Sequence, residues 1–163
     1  MFSQIQSATL NGLKALAVKV EVNANFVGDN ASGDTLFMMV GLPDTAVKES
    51  GERVRCAIQE AGYEFPSKSV VVNMSPADIK KEGSAYDLAI ALGLLAVSEQ
   101  VPLGGMEEFV IMGELALDGR LRPVNGALPV ALQAKEEGFR GCIFPASSAL
   151  EAAEVEGLEV YGV

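Results

Sequence analysis

The residues most able to carry out chemistry lie in one short polar segment, residues 80–84, which contains two lysines and a serine. A serine hydroxyl becomes a nucleophile when a neutral, desolvated amine within hydrogen-bond reach accepts its proton. Ser84 together with Lys80 or Lys81 would supply the two components of such a Ser-Lys peptidase. The chain has no histidine, which excludes Ser-His catalysis, His-ligated zinc and imidazole acid–base chemistry.

Ser84 and Asp87 also have a structural interpretation. Their spacing is that of a capping box, so we predict that Ser84 caps the following helix instead of acting as a nucleophile. Asp87 is the one charged residue between Ser84 and Ser98. We predict that it is a first-turn acid that interacts with the helix N-terminus. The alternative is a pocket carboxylate or a metal ligand.

The remaining charged residues of this region are expected on the surface. Lys80 and Lys81 precede a polar turn and should be solvated. Glu114 should form an ion pair with Arg120 or Arg122 across a hairpin. The sequence contains no carboxylate spacing typical of a Ca²⁺ or Mg²⁺ site, so no metal ligand is predicted.

The composition favours one folded domain. The chain has 163 residues, of which 49% are hydrophobic, and this is enough for a single core. The start of the chain has no signal-peptide pattern and no apolar run is long enough to span a bilayer. Cys56 and Cys142 have no partner motif and are predicted to be free thiols. We therefore predict a cytoplasmic protein with no membrane association.

The elements that must position these residues are short strands and amphipathic helices. The predicted strands span residues 7–10, 17–25, 35–40, 69–73, 109–117, 120–123, 141–144 and 158–161. In the second of them, Val18, Val20 and Val22 should share one face, and Asp118-Gly119 predicts a hairpin turn. One predicted helix begins after an N-cap at Asp44, and the others span 85–97, 128–137 and 147–155. The first three strands are predicted to form an antiparallel meander, with a polar loop over Asn25–Asp34. The class is a mixed α/β (α+β) fold.

Several segments resemble the N-terminal, Lon-like domain of magnesium-chelatase-like proteins of the ComM (YifB) group. They are the segment from Val40 to Ser50, then Glu52-Arg53-Val54-Arg55, Val72-Asn73-Met74-Ser75-Pro76-Ala77-Asp78 and Lys81-Glu82-Gly83. The resemblance covers nearly the whole chain, residues 1–163, and implies a ribosomal-protein-S5-domain-2-like fold, which Lon proteolytic domains share. The Asn25–Asp34 loop is longer than in the family.

The same resemblance implies that the peptidase chemistry has been lost. Lon proteases carry the nucleophile at the fifth position of Lys-Asp-Gly-Pro-Ser-Ala-Gly, and the fifth position here is Ala85. Their catalytic lysine comes five residues after a proline, and five residues after Pro123 is Leu128. We therefore predict no catalytic residue in this chain. A working Ser-Lys peptidase using Ser84 is the alternative, and a small-molecule phosphotransferase is a third hypothesis, supported by the fold alone.

The family also implies partners. Its members carry an AAA+ ATPase module after this domain, form hexamers with neighbouring protomers, and promote branch migration of DNA during natural transformation. ATP and Mg²⁺ are implied for a longer protein, whereas no Gly-x-x-x-x-Gly-Lys-Ser/Thr loop and no cofactor are predicted for these residues. The net charge of −10 opposes DNA binding by this domain alone. Single-stranded or branched DNA would therefore contact local basic clusters, namely Lys48, Arg53, Arg55, Lys80, Lys81, Arg120 and Arg122.

Overall fold

The computed structural model describes residues 1–25, 36–65 and 69–163. Its strands are β1 (Phe2–Asn11), β2 (Lys14–Asn25), β3 (Phe37–Val40), β4 (Ser69–Ser75), β5 (Phe109–Ile111), β6 (Glu114–Leu115), β7 (Leu121–Arg122), β8 (Gly141–Phe144) and β9 (Glu159–Gly162). Its helices are α1 (Thr45–Lys48), α2 (Ser50–Glu60), α3 (Asp87–Val97), α4 (Ala127–Glu136) and α5 (Ala146–Ala152).

Seven strands form one mixed sheet in the order β3-β4-β2-β1-β5-β8-β9, while β6 and β7 form a separate hairpin. The mixed α/β class is thereby confirmed. The predicted meander is wrong in its third strand, because β4 pairs antiparallel with β2 and β3 pairs parallel with the far side of β4. The predicted long loop lies outside the described residues, apart from Asn25, which ends β2.

Helices cover both faces of the sheet, and the alternation of side chains along each strand divides the core in two. Val18, Val20 and Val22 point from β2 towards α2 and α3 in the larger cluster. Ala8 and Ala15 lie on the opposite face, in the cluster that α4 and α5 complete. The alternation predicted for β2 is therefore confirmed.

The predicted strand 109–117 is divided at Gly113, and this division shapes the site described below. The first turn of a helix leaves its backbone N–H groups without partners inside the helix. In α3, the Leu88 N–H donates to the Gly113 carbonyl (3.0 Å), and the Gly113 N–H donates to the Ala85 carbonyl (2.8 Å). The chain therefore leaves the main sheet after β5, joins the start of α3, and continues into the β6–β7 hairpin.

The Asp44 cap predicted for the helix after β3 is confirmed, since its Oδ1 accepts from the Val47 N–H at 2.8 Å. The helix itself is interrupted at Glu49 and forms the two pieces α1 and α2. No helix within the described ranges is long and apolar enough to cross a bilayer.

Candidate functional site

An open cleft of about 490 Å³ lies beside the N-terminus of α3. Its lining comes from the end of β1, the loop that leads into α3, and the segment before α4. The lining residues are Ala8, Thr9, Leu10, Asp44, Glu82, Gly83, Ser84, Ala85, Tyr86, Met112, Glu114, Pro123, Val124 and Asn125. Three carboxylates and three hydroxyl-bearing side chains line this cleft, and no lysine or arginine is among its described lining residues.

The Ser84 side chain does not cap α3. The helix begins at Asp87 after a turn in which the Asp87 N–H donates to the Ser84 carbonyl (3.3 Å), so Tyr86 occupies the N-cap position without a side-chain bond. The Ser84 hydroxyl instead donates to Glu114 Oε2 at 2.6 Å. The predicted capping box is therefore wrong, because the turn points Ser84 towards β6.

Lys81 is fully buried, so the prediction that it is solvated is wrong. Its ammonium donates to the carbonyl of Gly41 (2.7 Å) and to that of Pro76. Burial lowers the pKa of Lys81, and Asp78 acts in the opposite direction. The side chain therefore holds two loops together and is not the base of a Ser-Lys pair. Lys80 is exposed and pairs with Glu82 at 3.3 Å.

The two positions that the resemblance assigns to the Lon catalytic pair also lack the required chemistry. Ala85 is half-buried and lines the cleft. Leu128 is 39% exposed in α4 and is not among the described lining residues. The predicted nucleophile position thus carries only a methyl group, and no lysine of α4 is among the described lining residues.

Asp87 is fully buried and belongs to an ion-pair network. It accepts from Ser50 Oγ (2.5 Å), from Arg53 Nε and Nη2 (2.7 and 3.1 Å) and from the Leu115 N–H (3.1 Å). The hydrogen bond to Asp87 is the main reason that the pKa of Arg53 is raised. The carboxylate therefore joins α2, α3 and β6. Asp87 lies in the first turn of α3, as predicted, but its described hydrogen-bond partners belong to other elements, and this network was not predicted.

Glu114 forms no predicted cross-hairpin ion pair. It lies opposite Arg122 in the register of β6 and β7, yet its described polar partner is Ser84. Arg120 pairs instead with Asp118, at 3.7 Å on the exposed turn. The predicted ion pair does not form because the Glu114 carboxylate accepts a hydrogen bond from Ser84 on the cleft side of β6.

The basic residues predicted to contact DNA fall into two groups: those with exposed side chains, and those that are buried or held by other side chains of the domain. Lys48, Lys80, Arg120 and Arg122 are exposed. Arg53 is occupied by Asp87, Lys81 is buried, and Arg55 is half-buried with its guanidinium 4.6 Å from the centre of the Phe65 ring. Only the exposed four have side chains free to reach a phosphate without rearrangement of the fold.

Tyr86 is the cleft residue that the sequence analysis missed. It is 1% exposed, and its hydroxyl has no hydrogen-bond partner among the described residues. Burial raises its pKa to about 12; nearby Thr9 opposes this rise without forming a hydrogen bond of normal geometry. The sequence feature that could have indicated this residue is a tyrosine at the start of an otherwise apolar helix, because a buried hydroxyl there must find a hydrogen-bond partner or remain unsatisfied.

The mixed α/β sheet, with a cleft at the N-terminus of α3 that Ala85 lines, agrees with the Lon-like domain that the family resemblance implies. The chain belongs to the family described as subunit ChlI of Mg-chelatase, whose model matches residues 27–148. Its predicted membership is thereby confirmed.

Relatives support the same assignment. The chain is 46% identical to the uncharacterized protein YifB of Escherichia coli over 78% of its length, and 38% identical to the competence protein ComM of Haemophilus influenzae over 96%. It is 24% identical over 82% of its length to the archaeal Lon protease of Methanocaldococcus jannaschii. The chain spans 24% of that YifB protein, 30% of ComM and 20% of the Lon protease.

Proposed function

We propose that this chain is the non-peptidase, Lon-like domain of a longer ComM-type AAA+ ATPase. In that protein it would help protomers assemble into a hexameric ring and guide single-stranded or branched DNA beside a motor that uses ATP and Mg²⁺. The observation that carries the proposal is the Ser84–Glu114 hydrogen bond in a cleft lined by Ala85, the residue that the Lon resemblance places at the nucleophile position.

A peptidase mechanism is disfavoured by the contacts of each candidate group. Ser84 needs a neutral amine as proton acceptor, and the described lining of the cleft includes no lysine. Lys81 is the nearest lysine in sequence, but its ammonium is held by two carbonyl groups. Without a neutral amine as base, the hydroxyl remains a weak nucleophile, and it donates a hydrogen bond to the Glu114 carboxylate.

The proposed DNA contact depends on the exposed cations. Lys48, Lys80, Arg120 and Arg122 can reach phosphates, whereas the net charge of −10 opposes the approach of DNA to the domain as a whole. A ring would present the same weak patch several times, and linked sites raise affinity through effective concentration. The DNA contact is therefore proposed for the assembled protein.

The proposed assembly has a candidate surface at the β3 edge of the sheet. Met38 and Val71 are register partners on β3 and β4, and with Val40 they share a face on which they are 48%, 38% and 39% exposed. Neighbouring exposed apolar side chains of this kind mark interaction surfaces. We propose that a second protomer covers them. The free thiols of Cys56 and Cys142 fit the proposed cytoplasmic location.

The absence of peptidase activity is tested with unfolded casein and fluorogenic peptides. We expect the chain and its Ser84→Ala variant to give the same background rate. Turnover by the wild-type chain that disappears in Ser84→Ala would overturn the proposal and establish the peptidase alternative.

The DNA proposal is tested in the longer protein by titrating labelled single-stranded DNA at several salt concentrations. Arg120→Ala/Arg122→Ala should weaken binding and reduce the log–log salt slope by about 0.7 for each phosphate that is no longer neutralised. The matched control, Lys14→Ala/Lys135→Ala, removes the same charge from exposed positions elsewhere. Equal affinities and slopes in the two double variants would refute a specific contact by the hairpin arginines.

Val71→Glu should reduce hexamer formation by the longer protein, measured by sedimentation velocity. The control Lys19→Glu introduces the same side chain at an exposed position of β2. A hexamer of unchanged stability in Val71→Glu would remove the β3 edge from the proposed interface.

A further inference from the structure

We propose that the cleft beside α3 binds the basic side chain of a peptide segment, with Glu114 as the direct partner of its ammonium or guanidinium group. The inference rests on the proposed absence of peptidase activity, since it treats the cleft as a binding site that does not cut. It is carried by three observations: the charge of the lining, an unpartnered buried hydroxyl, and the volume and apolar part of the lining.

The described lining has carboxylates at Asp44, Glu82 and Glu114 and no basic side chain. Asp44 is occupied, because its oxygens accept from the Val47 N–H (2.8 Å) and the Gly83 N–H (3.2 Å). Glu82 is partly neutralised by Lys80 on the exposed side. Glu114 is half-buried and uses Oε2 for Ser84, so among the described contacts Oε1 is left to accept from a ligand.

Two arginines near Glu114 must be considered before the cleft is called anionic. Arg53 makes two hydrogen bonds to Asp87, and its Nη2 also donates to the carbonyl of Ala46. Arg122 lies opposite Glu114 on the hairpin, but no ion pair within 4.0 Å joins them in the described chain. A cation that enters the cleft therefore meets a carboxylate that is not paired with a protein cation.

The Tyr86 hydroxyl is the observation that points to a ligand. It is buried in the wall without a hydrogen-bond partner in the part of the chain that the structure describes. Tyr86 itself lines the cleft together with Thr9, Asp44 and Glu82, and its hydroxyl oxygen is buried there. A buried polar atom without a partner is costly, so a donor supplied by a ligand would be favoured there.

The volume and lining of the cleft match a long side chain with a charged end. Its volume of about 490 Å³ falls within the usual range of ligand pockets. Ala8, Leu10 and Val124 supply apolar surface that can cover the methylene stem of a lysine or arginine. The described residues include no group of three or more His, Cys, Asp or Glu placed to share a metal ion. The separated carboxylates thus fit an extended cation better than a metal.

The test uses the 163-residue chain and the capped tripeptide acetyl-Gly-Lys-Gly-amide, with binding followed by amide chemical shifts in two-dimensional NMR. The matched ligand is the norleucine tripeptide, which keeps the stem and lacks the charge. We expect the lysine tripeptide to shift residues around the cleft and to bind at least about tenfold more tightly, as expected for a charge-assisted hydrogen bond.

Glu114→Gln should remove this preference, because glutamine can still accept from Ser84 while the charge is lost. The control Glu151→Gln removes the same charge at an exposed position of α5 and should leave binding unchanged. Tyr86→Phe should weaken lysine binding severalfold and leave the norleucine tripeptide unaffected. Thermal melts of all variants establish that they are folded.

Equal binding of the lysine and norleucine tripeptides, or equal effects of Glu114→Gln and Glu151→Gln, would overturn the inference. Spermidine that binds more tightly than the lysine tripeptide would also overturn it, in favour of a free polyamine. Turnover of a lysine-containing fluorogenic peptide would instead refute the proposed loss of peptidase activity. Absence of both turnover and binding would refute only the present inference.

Discussion

Replacing Asp87 with alanine should lower the free energy of unfolding by roughly 3–5 kcal/mol, the usual effect of breaking a buried ion pair. A lost helix cap would cost only about 0.5–2 kcal/mol. The larger figure applies because Asp87 is fully buried and accepts four hydrogen bonds, two of them from Arg53. Its removal leaves the guanidinium with only the exposed Glu49 carboxylate, 3.8 Å away, as an ion-pair partner, and leaves the Leu115 N–H without its described partner.

The side chain of Arg53 is 19% exposed, so water relieves part of this cost and places the expected loss nearer to about 3 kcal/mol. For a domain of this size, that loss corresponds to a fall in melting temperature of roughly 6–12 °C. Asp87→Asn should have an intermediate effect, because the amide oxygen can still accept from Ser50 while the charge is lost.

Equilibrium urea denaturation of the wild type, Asp87→Ala, Arg53→Met and the double variant measures both the cost and the coupling. We expect the double variant to be destabilised by much less than the sum of the single variants, since removing both partners leaves no unpaired buried charge. A loss below about 2 kcal/mol in Asp87→Ala, with additive effects in the double variant, would show that Asp87 acts only as a first-turn acid.

Two further predictions concern the backbone and alkaline pH. Gly41→Ala should destabilise the domain at least twice as much as Gly12→Ala in urea denaturation. Both residues have positive φ, so both variants carry backbone strain. An added Cβ at Gly41 would lie 2.1 Å from the Met74 carbonyl oxygen, whereas Gly12 has open space around it. Equal losses would show that the clash is relieved by a small movement. Burial raises the pKa of Cys142 from 9.0 to about 12 and that of Tyr86 from 10.0 to about 12. Each neutral group therefore makes its full contribution to the stability of the folded domain below pH 9 for Cys142 and below pH 10 for Tyr86, and this contribution is lost as the pH rises towards 12. Urea denaturation at pH values between 8 and 11 should show this fall in the free energy of unfolding. Cys142→Ala should remove the part of the fall that begins near pH 9. An unchanged pH profile in that variant would refute the role given to Cys142.

The sequence predicted the local elements well where one physical rule was sufficient. The alternating valines of β2 and the Asp44 cap both appear as expected, and the Asp118-Gly119 turn joins β6 to β7. Periodicity and turn chemistry act over a few residues, so a sequence displays them directly. The family resemblance then supplied the location of the cleft through Ala85.

The contacts made between distant segments were not predictable in this way. Lys81 is buried because carbonyls of two other loops surround its ammonium, and Asp87 is paired because α2 places Arg53 next to the start of α3. Charged residues are rarely fully buried without a partner, so an isolated sequence pattern favours the surface. The position of β3 beyond β4 likewise depends on a pairing that loop length alone does not specify.

The central position of β1 has a consequence for synthesis of the chain. One neighbour, β2, follows immediately, but the other, β5, pairs with β1 through Gln6 and Val110. At typical translation rates, the roughly 100 intervening residues take about 5–20 s to emerge. Until then the β1–β2 hairpin has an open edge in the middle of the future sheet. Such distant pairing slows folding and leaves strands open to association with other chains. The nascent domain is therefore expected to need protection by a chaperone during this interval.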